Sequence, residues 1–402
     1  TLVNGLRLLH IKNKMNKVRL EINFRVGSEN ETKENSGISH FLEHMICEGS
    51  KEFSGDDIRD WLKEVNGHTN AFTSFKRTGF YFSVPKKHFE KALKILASII
   101  QEPLLSEDRL VKEKKIILDE YNQYKDHMHY RASEYLLAKM FANHPLSNEV
   151  IGLKENIENM TVEKLKEYHS KYYFPNNAVI AVTGNVDDPS VLIEKYFVFE
   201  PREVSPFVWS SPEPIKQMVV NTKGKTKATY LSIGFQTVPQ SNPDANVVEL
   251  IQTILDDGKE INLMDQIRHQ RGLTYSIETI HQSFNETGYF IVQLSTEKEK
   301  IEEVSTVILS ELKKLETISK KEVKRAKKKL LKNINQLCRI PTLLHGKLIQ
   351  FEILGYWNQY ENRINNVERI TAEDVQRVAK TYFNENYVKS IIESEGGVTN
   401  GC

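Results

Sequence analysis

The sequence predicts an α+β fold made twice: two similar domains, each a largely antiparallel sheet with helices packed on one face. Three observations point there. The chain has 402 residues, beyond the roughly 250 to 300 at which single cores stop growing. Pro201, Pro206, Pro212 and Pro214 crowd a serine-containing stretch near the middle. This reads as a linker at 200–215 between a domain at 1–199 and a second at 216–402. The order of strand-like and helix-like periodicities before the linker also recurs after it, although residue identities do not.

Each half opens on a β-rich stretch, 8–26 and then 218–235. In the first half a helix follows at 56–65, with Asp56 and Asp57 in its first turn, then a hairpin at 70–85 and helices at 88–101 and 106–125. In the second half hairpin-like alternation spans 272–294, and helices follow at 300–315 and 320–337. Both halves close on a helix and a strand, 162–173 with 178–183 and 372–383 with 387–392. The run 320–332 is more than half basic, and at helical spacing it reads as a solvated face.

With 39% hydrophobic and 27% charged residues, each half can bury a core, which excludes a disordered chain. Lys plus Arg at 55 against Asp plus Glu at 54 leaves a net charge of +1. That balance offers no global field for nucleic acid or an acidic membrane, so neither is expected as a partner. Cys47, Cys338 and Cys402 are odd in number and far apart. This fits a reducing, cytoplasmic compartment, or the mitochondrial matrix if a targeting segment has been removed ahead of Thr1. No apolar run approaches the roughly 18 residues that span a bilayer, and membrane insertion is not expected.

The segment SGISHFLEHMICEGS at 36–50 carries His40, Glu43 and His44. On a helix His40 and His44 are one turn apart, so both imidazoles leave the same face and can share one ion. Glu43 stands beside them, placed to take a proton from a water that zinc would activate. With 12 histidines and at most 54 acidic residues to draw on, chance supplies about 0.05 such patterns in a chain of this length, so the motif carries signal. Phe41, Leu42 and Ile46 make the helix partly buried, where two unpaired histidines would be awkward. Zinc in a catalytic site needs a third protein ligand and an open position. The helix at 106–125 offers Glu113 and Glu120, seven residues apart on one face, and spacing does not choose between them. His127 and His129 also remain open as ligands.

These residues resemble the pitrilysin-type metallopeptidases, or inverzincins. The likeness is greatest to their short, half-size branch, which includes the catalytic subunit of mitochondrial processing peptidase and its prokaryotic relatives. It runs nearly end to end. Beyond HFLEHM it covers NGHTNAFTSFKRTGFYFSVP, EKKIILDEYNQYKD, HPLSNEVIGLKENI, YHSKYYFPNNAVIAVTGNV and IRHQRGLTYSI. The resemblance implies one zinc per chain, with Glu120 as third ligand about 76 residues after the second histidine. It makes Glu113 a supporting residue that orients a ligand. Asn70, Ala71, Phe72 and Thr73 match the family's edge strand, on which an extended substrate is expected to lie as an added strand. Without that match a polar hairpin strand is the plainer reading of them. Arg268 and Tyr275 match a pair that serves the active site, the tyrosine on the developing oxyanion and the arginine on the chain. Read without the family, Tyr275 is a half-buried strand residue.

The second half lacks an HxxEH motif, and its helix at 245–257 has no histidine, so one half alone is expected to bind metal. The stretch LDDGKEINLMDQ before Arg268 has one glycine, unlike the glycine-rich loop of the non-catalytic processing-peptidase subunit. Cys47, one turn beyond His44, reads as a core thiol. The expected activity is zinc-dependent endoproteolysis of short or unfolded polypeptides by a homodimer, or by a heterodimer with a related chain. The alternatives are a non-catalytic core subunit and a protease dedicated to one leader peptide.

Overall fold

Alternation along the strands sorts residues to two faces. In Lys17–Phe24, Leu20, Ile22 and Phe24 enter a hydrophobic core, while Arg19, Glu21 and Asn23 leave by the opposite face. A computed structural model describes residues 1–202 and 209–394. Part of the expected linker, 203–208, and the tail from 395 with Cys402 lie outside the described residues.

The first sheet contains β1 (Arg7–Lys12), β2 (Lys17–Phe24), β3 (His68–Thr73), β4 (Thr78–Pro85) and β5 (Ala178–Gly184), in the order β1-β5-β2-β4-β3. The second contains β6 (Met218–Gly224), β7 (Thr229–Thr237), β8 (Ile277–Ser283), β9 (Gly288–Thr296) and β10 (Val388–Ser394), in the order β6-β10-β7-β9-β8. Counted from the start of each half, the two orders are the same. In both, the first strand runs parallel to the last and every other pairing is antiparallel. The repetition seen as an order of periodicities is thus a repetition of topology.

The described residues fall into two units. One holds 1–122, 148–202 and 337–355, the other 123–147, 209–336 and 356–394. A cut at 200–215 alone does not make this division, because each half of the sequence places one helix in the other half's unit. Helix Pro341–Leu354 lies against β5, β1 and β2 in the first unit, with His345 fully buried. Helix Met128–Met140 lies against β7 and β10 in the second. The helices that each half supplies to its own sheet occupy one face, as expected, and these two additional helices take the other. Their outward sheet residues mix polar and apolar: Glu21, Thr183 and Val179 in the first sheet, and Ser232, Ser390 and Ile392 in the second, where Ile392 clusters with Met128 and Ala132. Such rows do not announce a buried face.

Helices Ile38–Cys47, Phe89–Gln101 and Val162–Tyr172 pack their apolar residues with Leu20, Ile22, Phe80 and Phe82 into the first core. Helix Glu107–Asp126 adds Leu110 and Ile117 to the same core. Among the described residues no helix is long and apolar enough to cross a membrane.

Candidate active site

The motif helix, Ile38–Cys47, buries Ile38, Phe41, Leu42, Met45 and Ile46. That commits His40, Glu43, His44 and Cys47 to the other side. The helix starts at Gly37, whose φ of 93° suits glycine and where a Cβ would sit 2.7 Å from the Ile151 carbonyl oxygen. Glu31, itself buried, accepts hydrogen bonds from the backbone N–H of Gly37 (2.7 Å) and Ser39 (2.9 Å) and so caps the first turn. Burial pushes the Glu31 carboxyl up to about 7 against those two bonds. At the far end, buried Glu48 ties the motif helix to its neighbour. It accepts from Arg109 Nη1 at 2.5 Å and lies 3.3 Å from Lys112 Nζ, both on Glu107–Asp126.

That neighbour turns Leu110, Glu113, Ile117 and Glu120 to one side. Glu120 Oε2 lies 3.6 Å from His40 Nε2 and 3.4 Å from His44 Nε2. One potential ligand atom from each of these three residues lies within 4.8 Å of the others, the one such group of three among the described residues. Glu113 Oε2 lies 3.1 Å from His44 Nδ1. The two glutamates therefore hold opposite nitrogens of a single imidazole. Where spacing leaves Glu113, Glu120, His127 and His129 all open, the geometry brings Glu120 to both histidines and sets Glu113 behind one of them. His127 and His129 fall in the second unit, where His129 packs edge-on against Tyr230.

Burial, and then the neighbouring His44, hold His40 down at about 4. His44 goes the other way. Burial opposes its charge, but Glu113, Glu120 and Glu43 outweigh burial and bring it up to about 9. Glu120 is correspondingly lowered by its contact with His44, against burial. Burial raises the Glu43 carboxyl to about 7, although Thr73 Oγ1 donates to its Oε2 at 2.6 Å.

Thr73 is the last residue of β3, an edge strand that among the described residues pairs with β4 alone. The predicted substrate segment Asn70, Ala71, Phe72 and Thr73 thus lies along an edge, with Ala71 and Thr73 turned to the motif helix and core, Asn70 and Phe72 away from them. The contact from Thr73 to Glu43 joins strand and motif, and no residue spacing in the sequence signals it. Glu31 and Glu48 are likewise invisible in the sequence, because each acts on a partner brought near by the fold.

Arg268 and Tyr275 both belong to the second unit. Arg268 sits in a π-helical turn, Asp265–His269, with its Cζ 4.7 Å from the centre of the Tyr275 ring. Tyr275 precedes β8 and is 81% exposed, so it is not the half-buried strand residue that its local pattern suggests. Cys47 also needs correction: it is exposed, not a core thiol. It shares the motif helix's polar side, one turn beyond His44, instead of the apolar stripe.

Two imidazole nitrogens and one carboxylate oxygen converge, with a second carboxylate fixing the far nitrogen of an imidazole. This is the donor set and backing that zinc takes in catalytic sites, and the residues present fit that ion. Residues 7–154 match the family described as Insulinase (Peptidase family M16), and residues 159–330 match the Peptidase M16 inactive domain. The chain belongs to peptidase family M16. An uncharacterized zinc protease of Bacillus subtilis, YmxG, is 26% identical over 99% of this chain and 98% of its own length. The zinc protease PqqE of Helicobacter pylori is 23% identical over 96% of this chain and 90% of its own. Among solved structures, a protease from Helicobacter pylori superposes with a TM-score of 0.88 at 21% identity, covering 98% of both chains. A Pseudomonas fluorescens structure described as a peptidase M16 inactive domain gives 0.88 at 20% identity, covering all of this chain and 98% of that one. Both support the paired α+β architecture. The M16 assignment agrees with the family resemblance carried by HFLEH and the flanking motifs.

Proposed function

We propose that this M16 chain is a zinc-dependent endopeptidase that hydrolyses short or unfolded polypeptides. The observation that carries the proposal is the convergence of His40, His44 and Glu120 with Glu43 alongside, on the one half of the chain that has the motif. Zinc held by those three side chains supplies Lewis acidity towards water and a scissile carbonyl. Glu113 accepts from His44 Nδ1 and so fixes the ring with Nε2 towards Glu120. Thr73 engages Glu43 at Oε2, which leaves Oε1 to take a proton from the attacking water and return it to the leaving amine. Burial raises the Glu43 carboxyl and so favours uptake of a proton, while a cation bound by the neighbouring side chains would favour the charged form that accepts it. The edge of β3 offers main-chain groups that bind an extended peptide with little regard to its sequence, which favours segments not already held in a fold of their own. Tyr275 and Arg268 keep the roles that the family likeness gives them, on the oxyanion and on the substrate chain. A second copy, or a related chain without the motif, is the partner this reading expects.

The names of the relatives support the zinc and the protease in this reading. The test is metal content together with cleavage of a mixed library of unstructured peptides, alongside folded proteins as controls. About one zinc per chain, peptide cleavage that a chelator abolishes, and intact folded controls are expected. Metal-free protein, inert alone and with related chains, would favour the non-catalytic core subunit.

A further inference from the structure

The face of the first sheet turned away from the metal ligands carries an ordered set of rows. Strand pairing places Phe72, Gly79 and Asn23 side by side, then Asn70, Tyr81 and Glu21, then His68, Ser83 and Arg19. Phe72, on the edge strand, lies across Gly79. A Cβ at Gly79 would come within 2.7 Å of two ring carbons of Phe72 and 2.8 Å of Asn23 Oδ1. Only a residue without a side chain lets the ring lie there.

Arg77 closes this arrangement from the β3–β4 turn. Its guanidinium carbon stands 4.8 Å from the centre of the Phe72 ring, and its Nη1 donates to Asn23 Oδ1 at 2.8 Å. Asn23 Nδ2 donates in turn to Glu21 Oε1 at 2.9 Å. Arg19 donates to Glu21 Oε2 from Nε (3.0 Å) and Nη2 (2.7 Å), and stacks on Tyr81 with 3.7 Å between its Cζ and the ring centre. His345 Nε2, from helix Pro341–Leu354, lies 3.2 Å from Glu21 Oε2. Asn23 and His345 are fully buried and Glu21 nearly so. A continuous path thus leads from the ring of an edge-strand residue to an anchor in the middle of the sheet.

We infer that Arg77 is a positioning residue for the substrate strand: it clamps Phe72 onto Gly79 and, through Asn23, ties β3 to the buried Glu21 anchor. The inference rests on the reading of β3 as the strand beside which substrate lies. An edge strand has one neighbour to hold it, so its distance and twist relative to the motif helix depend on side-chain contacts. Phe72 is next to Thr73, which contacts Glu43. The clamp on one face of β3 therefore sets the strand that meets the general base on the other. Arginine suits the place because its planar guanidinium can stack on the ring and hydrogen-bond in its own plane together, which a lysine cannot do.

The experiment compares the full-length wild type with Arg77→Met, Arg77→Lys and Gly79→Ala, zinc-loaded and zinc-free. It measures amide hydrogen exchange by mass spectrometry and steady-state cleavage of an unstructured peptide. Arg77→Met is expected to speed exchange in residues 68–73 by about tenfold or more, with 178–184 unchanged, because a local contact is lost while the centre of the sheet is not. KM is expected to rise by about tenfold with a smaller change in kcat, the sign of lost substrate positioning. Arg77→Lys should fall between, and Gly79→Ala should repeat the pattern without altering a charge. Unchanged exchange at 68–73 in both Arg77→Met and Gly79→Ala would overturn the inference, as would faster exchange with KM unaltered. If Arg77→Met fails to fold, the other two variants decide in the same way. A wild type that cleaves nothing would remove the proposed function, and exchange at 68–73 would still decide whether the clamp exists.

Discussion

Replacing Glu113 by Gln should weaken zinc binding in a way that depends on pH. Glu113 is 4% exposed, and its Oε2 is 3.1 Å from His44 Nδ1, so an isosteric amide can keep the contact while losing the charge. Loss of such a backing carboxylate costs a metal site about 10- to 100-fold in affinity, or about 1.4 to 2.7 kcal/mol. A second effect opposes it. Without metal, His44 is held up at about 9, chiefly by Glu113 and Glu120 working against burial, and zinc must displace that proton. Below the raised pKa each unit of pH costs zinc tenfold, so at pH 7 this proton weakens wild-type binding about 100-fold, or about 2.7 kcal/mol. Glu113→Gln lowers the His44 pKa and relieves part of this competition. The variant should therefore bind zinc about 10- to 100-fold more weakly than wild type at pH 9.5, with the gap narrowing towards pH 7. Competition with a chromophoric chelator at half-unit steps across that range measures both curves. A wild-type affinity that is flat from pH 7 to 9, or a variant-to-wild-type ratio independent of pH, would refute the reasoning.

Three further outcomes are expected. Burial opposes the charge on Glu21, but His345, Arg19 and Asn23 bring its carboxyl down to about 2 from 4.5. The stability it contributes is therefore full above about pH 4.5 and is lost as the pH falls towards 2, at most about 3 kcal/mol. Urea unfolding should show Glu21→Gln to be less stable than wild type at pH 6 and less sensitive to acid between pH 4.5 and 2; parallel acid profiles would remove Glu21 from this role. Thr73→Val deletes a hydrogen bond that lowers the Glu43 pKa, so the acidic limb of the kcat/KM profile should move to higher pH, and a shift downward or none would count against the contact. Tyr275→Phe should lower kcat by about 10- to 1000-fold with zinc content unchanged, and undiminished turnover would exclude Tyr275 from the oxyanion.

What could be read in advance follows the range of the interactions. The paired domains were legible because strand and helix periods are local and repeat in the same order in both halves, and the recurring sheet order confirms them. The exchange of helices Met128–Met140 and Pro341–Leu354 between units was not legible. The sheet faces they cover interrupt apolar residues with polar ones, Val179 with Thr183 and Ile392 with Ser232, and His345 itself is a polar group on a buried face. At the candidate site, His40, Glu43 and His44 stood out because one helical turn fixes their geometry. Glu120 and Glu113 needed a second helix, and spacing alone could not rank them. The link from Thr73 to Glu43, the cap by Glu31 and the tie by Glu48 each join residues that the fold brings together. The family likeness, which has an apolar residue at that position, makes Cys47 read as a core thiol, but its place on the side of His40 and His44 leaves it exposed.

The measurement closest to the central claim is zinc content and peptide turnover of Glu43→Gln beside wild type. The amide keeps the shape of the side chain and can still accept from Thr73, and Glu43 is not one of the three converging ligands. Both proteins should hold about one zinc per chain, and the variant should lose at least about 10²- to 10⁴-fold in kcat, the contribution of a positioned general base. A variant that keeps its zinc and cleaves peptides at the wild-type rate would contradict the account.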